Sequence, residues 1–163
     1  MQTAKLSALI CTFPNINPVN TVETGIALGH YVDHYAFITN ETVPVEPARD
    51  AKNLHLVCFD STDDETEYVE LLRAEGKQPC RNAPAYLLGL MATVPEDKMP
   101  EELRDKDLVA AEPDNRSSTF IDKNRDRCFL YVLRWGATRE LDLIDVELKV
   151  EDGWALLAED LVP

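Results

Sequence analysis

The sequence predicts one α+β domain spanning residues 1–163, with short helices in the first two-thirds and an antiparallel β-meander at the C-terminal end. Two observations point to this class. Capped runs with helical periodicity lie in the centre of the chain, and alternating runs rich in β-branched and aromatic residues gather after residue 128. Such segregation argues against a regularly alternating parallel sheet.

Taken in order, LSALICTF (6–13) is an apolar run stopped by Pro14 and reads as a buried strand. PNINPVN (14–20) reads as a loop. Thr21 caps a short helix from Val22, with Glu23 in its first turn, Val22 and Ile26 facing inward and Gly29 as its stop. HYVDHYAFIT (30–39) favours an extended chain by its aromatic and β-branched content, and the prolines of VPVEP (43–47) confine any pairing there to an edge.

NLHLVCF (53–59) is the clearest strand. TDDETEYVELLRAEG (62–76) is the clearest helix: Thr62 and Glu65 form a capping box, Tyr68, Leu71 and Leu72 make the apolar stripe, and Gly76 closes it. Pro84 opens a further helix over about 84–93, with Leu87, Leu90 and Met91 inward and Pro95 as its stop. DLVAA (107–111) reads as a short strand. The meander comprises CFLYVLR (128–134), a turn at Trp135-Gly136, RELDLIDVELKV (139–150), a turn at Asp152-Gly153, and WALLAEDL (154–161). Trp135 and Trp154 bracket it and read as core edges.

Thirty acidic residues against 16 basic ones give a net charge of −14. That field repels phosphate backbones, so direct nucleic-acid binding is not expected, whereas a protein with a basic surface suits it. The apolar run Leu6–Phe13 is far shorter than the ~20 residues of a membrane span, and no signal-peptidase pattern follows it. Cys11, Cys58, Cys80 and Cys128 include no C-x-x-C pair; reduced, structural thiols in the cytoplasm are expected. No Gly-rich phosphate loop, nucleophile elbow or Cys-His couple at a family spacing is present, and no cofactor is expected.

Candidate metal ligands are His30, His34, His55 and Asp60. In GHYVDHY (29–35), His30 and His34 stand four apart. They would share a helical face at roughly 6 Å but stand about 13 Å apart on a strand. Gly29 and the composition after it favour the extended form, and Tyr31 occupies the place of the glutamate that a zincin motif requires. Asp60, Asp63 and Asp64 lie where a strand passes into a helix; helix capping explains them, and the EF-hand pattern fails at Glu65 and Leu71. NRSSTFIDKNRDR (115–127) carries Arg116, Lys123, Arg125 and Arg127, but its interleaved aspartates make it read as a solvated loop or hairpin tip.

The stretch TVETGIALGHYVDHYAFITNETVPVE resembles a recurring opening in small hypothetical proteins of candidate-phylum (Patescibacteria-type) bacteria. HLVCFD with EYVELLRAEGKQP, PAYLLGLMATVPE, and RELDLIDVE with LLAED are similar to their later segments, so the likeness runs over most of 21–161. His30 replaces their usual basic residue, and Cys80-Arg81-Asn82 lengthens the link before Pro84. The resemblance implies no activity and no site residue. A helix followed by a Trp-containing meander also resembles the C-type-lectin-like fold, which would imply a ligand-binding module.

The expected function is therefore that of a non-enzymatic, acidic binding or interaction protein. The alternatives are a small divalent-metal-dependent enzyme or ligand binder using His30 and His34 or the acids near Asp60, and an acidic inhibitor or DNA mimic.

Overall fold

A computed structural model describes residues 6–59, 65–112, 115–146 and 153–162. Among these residues, three α-helices pack on one mixed, nine-stranded sheet.

β1 (Leu6–Ile16) runs on through Pro14, where the sequence suggested a stop. It is an edge strand, and its pairing with β3 (Lys52–Phe59) shifts register between Phe13 and Ile16. An irregular edge is where a proline interferes least with the ladder. α1 (Val22–Leu28) starts as its cap predicts: the Thr24 N–H donates to Thr21 Oγ1 at 3.2 Å.

The aromatic run 30–39 yields little strand. His30 adopts a left-handed φ of 60°, and only Asp33–His34 pair, as β2. Tyr31 and Tyr35 turn their rings onto the core instead of extending the edge.

α2 (Glu65–Ala74) and β4 (Lys77–Pro79) lead to α3 (Ala83–Thr93), which is buried at every position from Ala83 to Met91. Uniform burial explains why α3 lacks a polar face: the sheet covers one side, and α1 with the 17–18 loop covers the other. Gly89 is required by that approach, since a Cβ there would stand 1.9 Å from the Asn17 carbonyl oxygen. The Thr62 end of the predicted capping box lies outside the described residues.

β5 (Asp107–Val109), β6 (Thr119–Ile121), β7 (Arg127–Trp135), β8 (Thr138–Asp145) and β9 (Trp154–Asp160) complete the sheet. Its order is β1-β3-β9-β5-β7-β8-β2, with β4 also on β9 and β6 also on β7. Residues 115–127 form a turn and one arm of the β6–β7 hairpin.

The expected meander holds only for β7 and β8, which pair antiparallel from Cys128↔Asp145 to Trp135↔Thr138. β9 does not follow β8; it lies between β3, antiparallel, and β5, parallel. Trp154 to Glu159 are all buried, and a strand apolar on both faces belongs inside a sheet, not at the end of a meander. The C-type-lectin-like alternative rests on the same meander and loses that support.

Alternation along the strands divides the core in two. Leu54, Leu56, Leu130, Val132, Leu141 and Leu157 face α3, and Val57, Val109, Phe129, Leu156 and Ala158 face α2. Toward β8 and β2 the α2 side thins out: Tyr131, Leu133, Glu140, Asp142 and Ile144 are only half-buried, and Trp135 is 63% exposed. Among the described residues, no helix is long and apolar enough to cross a membrane.

Candidate binding surface

The three histidines stand on separate elements. His30 sits in the turn before β2. His34 lies on β2, exposed, its N–H donating to its neighbour Asp33. The segment is not a helix, so the shared face that would let His30 and His34 hold one ion does not arise. His55 is buried on β3, five strand positions from β2 and therefore roughly 24 Å away. Asp60 lies outside the described residues. Among the described residues, no group of three or more His, Cys, Asp or Glu side chains is placed to hold a metal ion.

His55 instead sits between Thr12 and Asp160. Its Nδ1 is 2.9 Å from Thr12 Oγ1, and its Nε2 is 2.8 Å from Asp160 Oδ1.

Two buried ion clusters occupy the α3 side. Arg134 and Arg139 face each other across β7 and β8, and both bond Glu96: Arg134 at 3.0 and 3.1 Å, Arg139 at 2.8 Å. Arg139, fully buried, also donates to the carbonyls of Gly29, Met91 and Val94, so one guanidinium closes the C-terminal ends of α1 and α3. Elsewhere Glu159 accepts from Lys52 at 2.9 Å and from Arg81 at 3.0 and 3.2 Å. Burial pushes the Glu159 carboxyl up, but the hydrogen bonds from Arg81 and Lys52 outweigh it and hold it below the ordinary carboxylate range. Both clusters are internally saturated and read as structure. A cavity of about 550 Å³ opens beside the second, walled by Arg49, Lys52, Arg81 and Tyr86 together with Asp50 and Asp160. Its opposed charges balance.

The other face of β7, β8 and β2 is different. Asp33 and Glu140 are direct cross-strand partners, as are Leu133 with Glu140 and Tyr131 with Asp142. Pairing in register places each couple on one face. Glu140 and Asp142, two apart on β8, share that face as well. Asp107, on β5, belongs to it by the register Val109↔Tyr131.

Four carboxylates thus surround Tyr131, Leu133 and Trp135. Among the described residues, Asp33, Glu140 and Asp142 have no ion-pair partner. Their field registers on the tyrosine: burial first, then Asp142, Asp107 and Glu140, push Tyr131 up to about 12. Burial also raises the Asp142 carboxyl, against an opposing hydrogen bond from the Leu143 N–H.

The sequence shows half of this surface. In RELDLIDV, Glu140 and Asp142 alternate with Leu141 and Leu143, which marks a strand with an acidic outer face. The pairing of β8 with Asp33, more than a hundred residues earlier, leaves no local signal. No protein-family model, curated protein or solved structure matches the chain.

Proposed function

We propose that the protein acts by binding, and that it docks a basic surface of another protein on the α2 side of β7, β8 and β2. The observation that carries this reading is the pair Asp33 and Glu140, directly opposite each other and without an ion-pair partner among the described residues. Like charges so placed destabilise a sheet, and a partner's cation would remove the penalty. Trp135, Tyr131 and Leu133 supply the apolar area that lets such a contact persist.

These interleaved apolar side chains also favour a protein partner over the acidic-inhibitor or DNA-mimic reading, in which carboxylates alone form the surface. In the metal-dependent alternative, His30 and His34 share no helical face, and the acids near Asp60, Asp63 and Asp64 among them, lie outside the described residues. Four buried free cysteines support a reducing, cytoplasmic setting.

The test uses an extended peptide of alternating arginine and valine, followed by tryptophan fluorescence, with an alternating glutamate peptide as control. Trp135 is exposed and Trp154 buried, so binding at this face perturbs the Trp135 emission, and Trp135→Phe removes the response. An equal response to both peptides would refute the electrostatic reading.

A further inference from the structure

Thr12, His55 and Asp160 come from the three neighbouring strands β1, β3 and β9, at the end of the sheet opposite the acidic face. All three side chains lie on the α2 side by strand alternation. The His55 side chain is 7% exposed, Asp160 is 64% exposed, and Thr12 stands at the surface.

A carboxylate only accepts hydrogen bonds, so Asp160 fixes the neutral ring with its proton on Nε2. The Nδ1 lone pair is then left for Thr12, whose hydroxyl donates to it across 2.9 Å. A hydroxyl, a base within hydrogen-bond reach and a carboxylate orienting that base are the three parts of an activated nucleophile.

From this geometry we infer that Thr12 is a nucleophilic acyl acceptor, with His55 as its general base and Asp160 as the residue that positions the ring, acting on small activated esters. This does not rest on the binding reading above. Thr12 Oγ1 bonds to the acyl carbon while its proton passes to His55 Nδ1. The C–O bond to the leaving group breaks, and the departing oxygen keeps the electron pair and takes that proton. Water then attacks the Thr12 ester by the same route, which releases the acid and restores the hydroxyl. Ester and water become acid and alcohol, with no other reactant.

Asp160 also stabilises the imidazolium formed in each half-reaction. Among the described residues β1 pairs on one side only, and the amides of its outer edge are the oxyanion donors in this proposal. Thr12 is exposed, so a small ester reaches its hydroxyl directly from solvent.

The experiment is reaction of the purified protein with p-nitrophenyl acetate, following p-nitrophenol release and locating the acetyl group by peptide mass spectrometry. Acetylation is expected on Thr12. Thr12→Ser keeps the reaction. Thr12→Val, at an exposed position, leaves the fold intact by circular dichroism and abolishes the label. His55→Gln slows release by about 100-fold. Asp160→Asn changes the pH profile of the rate, which a merely structural role would not do. Acetyl groups on lysines alone, or release by Thr12→Val equal to that of the parent protein, would overturn the inference.

Discussion

Asp33 and Glu140 stand directly opposite each other at the β2 edge of the sheet. One residue back along β8, Arg139 stands opposite Arg134 on the other face, an equally like-charged pair. The arginines share Glu96, and each also donates to backbone carbonyls of its own, Arg134 to Leu103 and Lys106 and Arg139 to Gly29, Met91 and Val94. The acids share nothing among the described residues. Strand β8 thus takes part in one like-charge pair that the fold neutralises and, among the described residues, one that it leaves open. Solvent screening keeps the open pair's cost small, but a basic partner gains from it.

Glu140→Gln is therefore expected to stabilise the isolated protein while weakening its partner binding. Relief of a directly opposed like-charge pair is worth roughly 0.2–1 kcal/mol. For a chain of this length that raises the melting temperature by about 1–4 °C. Thermal melts of the two proteins at low salt check it; a lower melting temperature would mean that Glu140 has a structural partner.

Asp142→Asn tests the same face through pH. The folded protein holds this carboxyl above its ordinary pKa, so it binds its proton more readily than the unfolded chain does. Such a group costs stability at neutral pH, and the cost fades as pH falls through the raised pKa toward the ordinary carboxylate value. The asparagine variant should be the more stable at pH 7, and its advantage should shrink as pH falls through the raised pKa. Denaturant titrations at pH 7 and in acid read this difference.

Glu159 carries the opposite sign. Its folded pKa is depressed, so the stability it contributes is present above the ordinary carboxylate pKa and is lost as pH falls through the depressed one. Glu159→Gln leaves Lys52 and Arg81 without their shared anion and should destabilise clearly at pH 7, with the deficit narrowing in acid. A constant deficit across that range would assign it to packing alone.

Arg139→Met removes the guanidinium that closes α1 and α3. The carbonyls of Gly29, Met91 and Val94 lose a donor in a dry place, and among the described residues Glu96 keeps only Arg134. Breaking a buried, hydrogen-bonded charge cluster costs about 3–5 kcal/mol. Urea unfolding should show a lower midpoint, and a loss under about 1 kcal/mol would mean that water replaces the lost bonds.

Local chemistry made several elements legible. Thr21 caps α1, Pro84 opens α3, and the apolar run at 53–59 becomes β3. Longer-range pairing did not show. β9 was readable as a strand, but its uniform burial, which marks an interior strand, emerges only once both neighbours are in place. The run 30–39 looks β-rich because it holds aromatic residues, yet Tyr31 and Tyr35 serve the core and only two residues pair. Of the candidate ligands, His55 found partners in Thr12 and Asp160, which lie 43 and 105 residues away in the chain. The acidic face was half visible: the alternation around Glu140 and Asp142 is local, and its counterpart Asp33 is not.

Docking of a basic partner on that face is tested most directly by calorimetric titration of the alternating arginine–valine peptide, with salt raised from about 50 to about 500 mM, against the parent protein and Glu140→Gln. Affinity of the parent should fall severalfold or more across that range, and the variant should start weaker and fall less steeply. Binding that ignores salt, or that the variant reproduces at every concentration, would contradict the role assigned to Asp33 and Glu140.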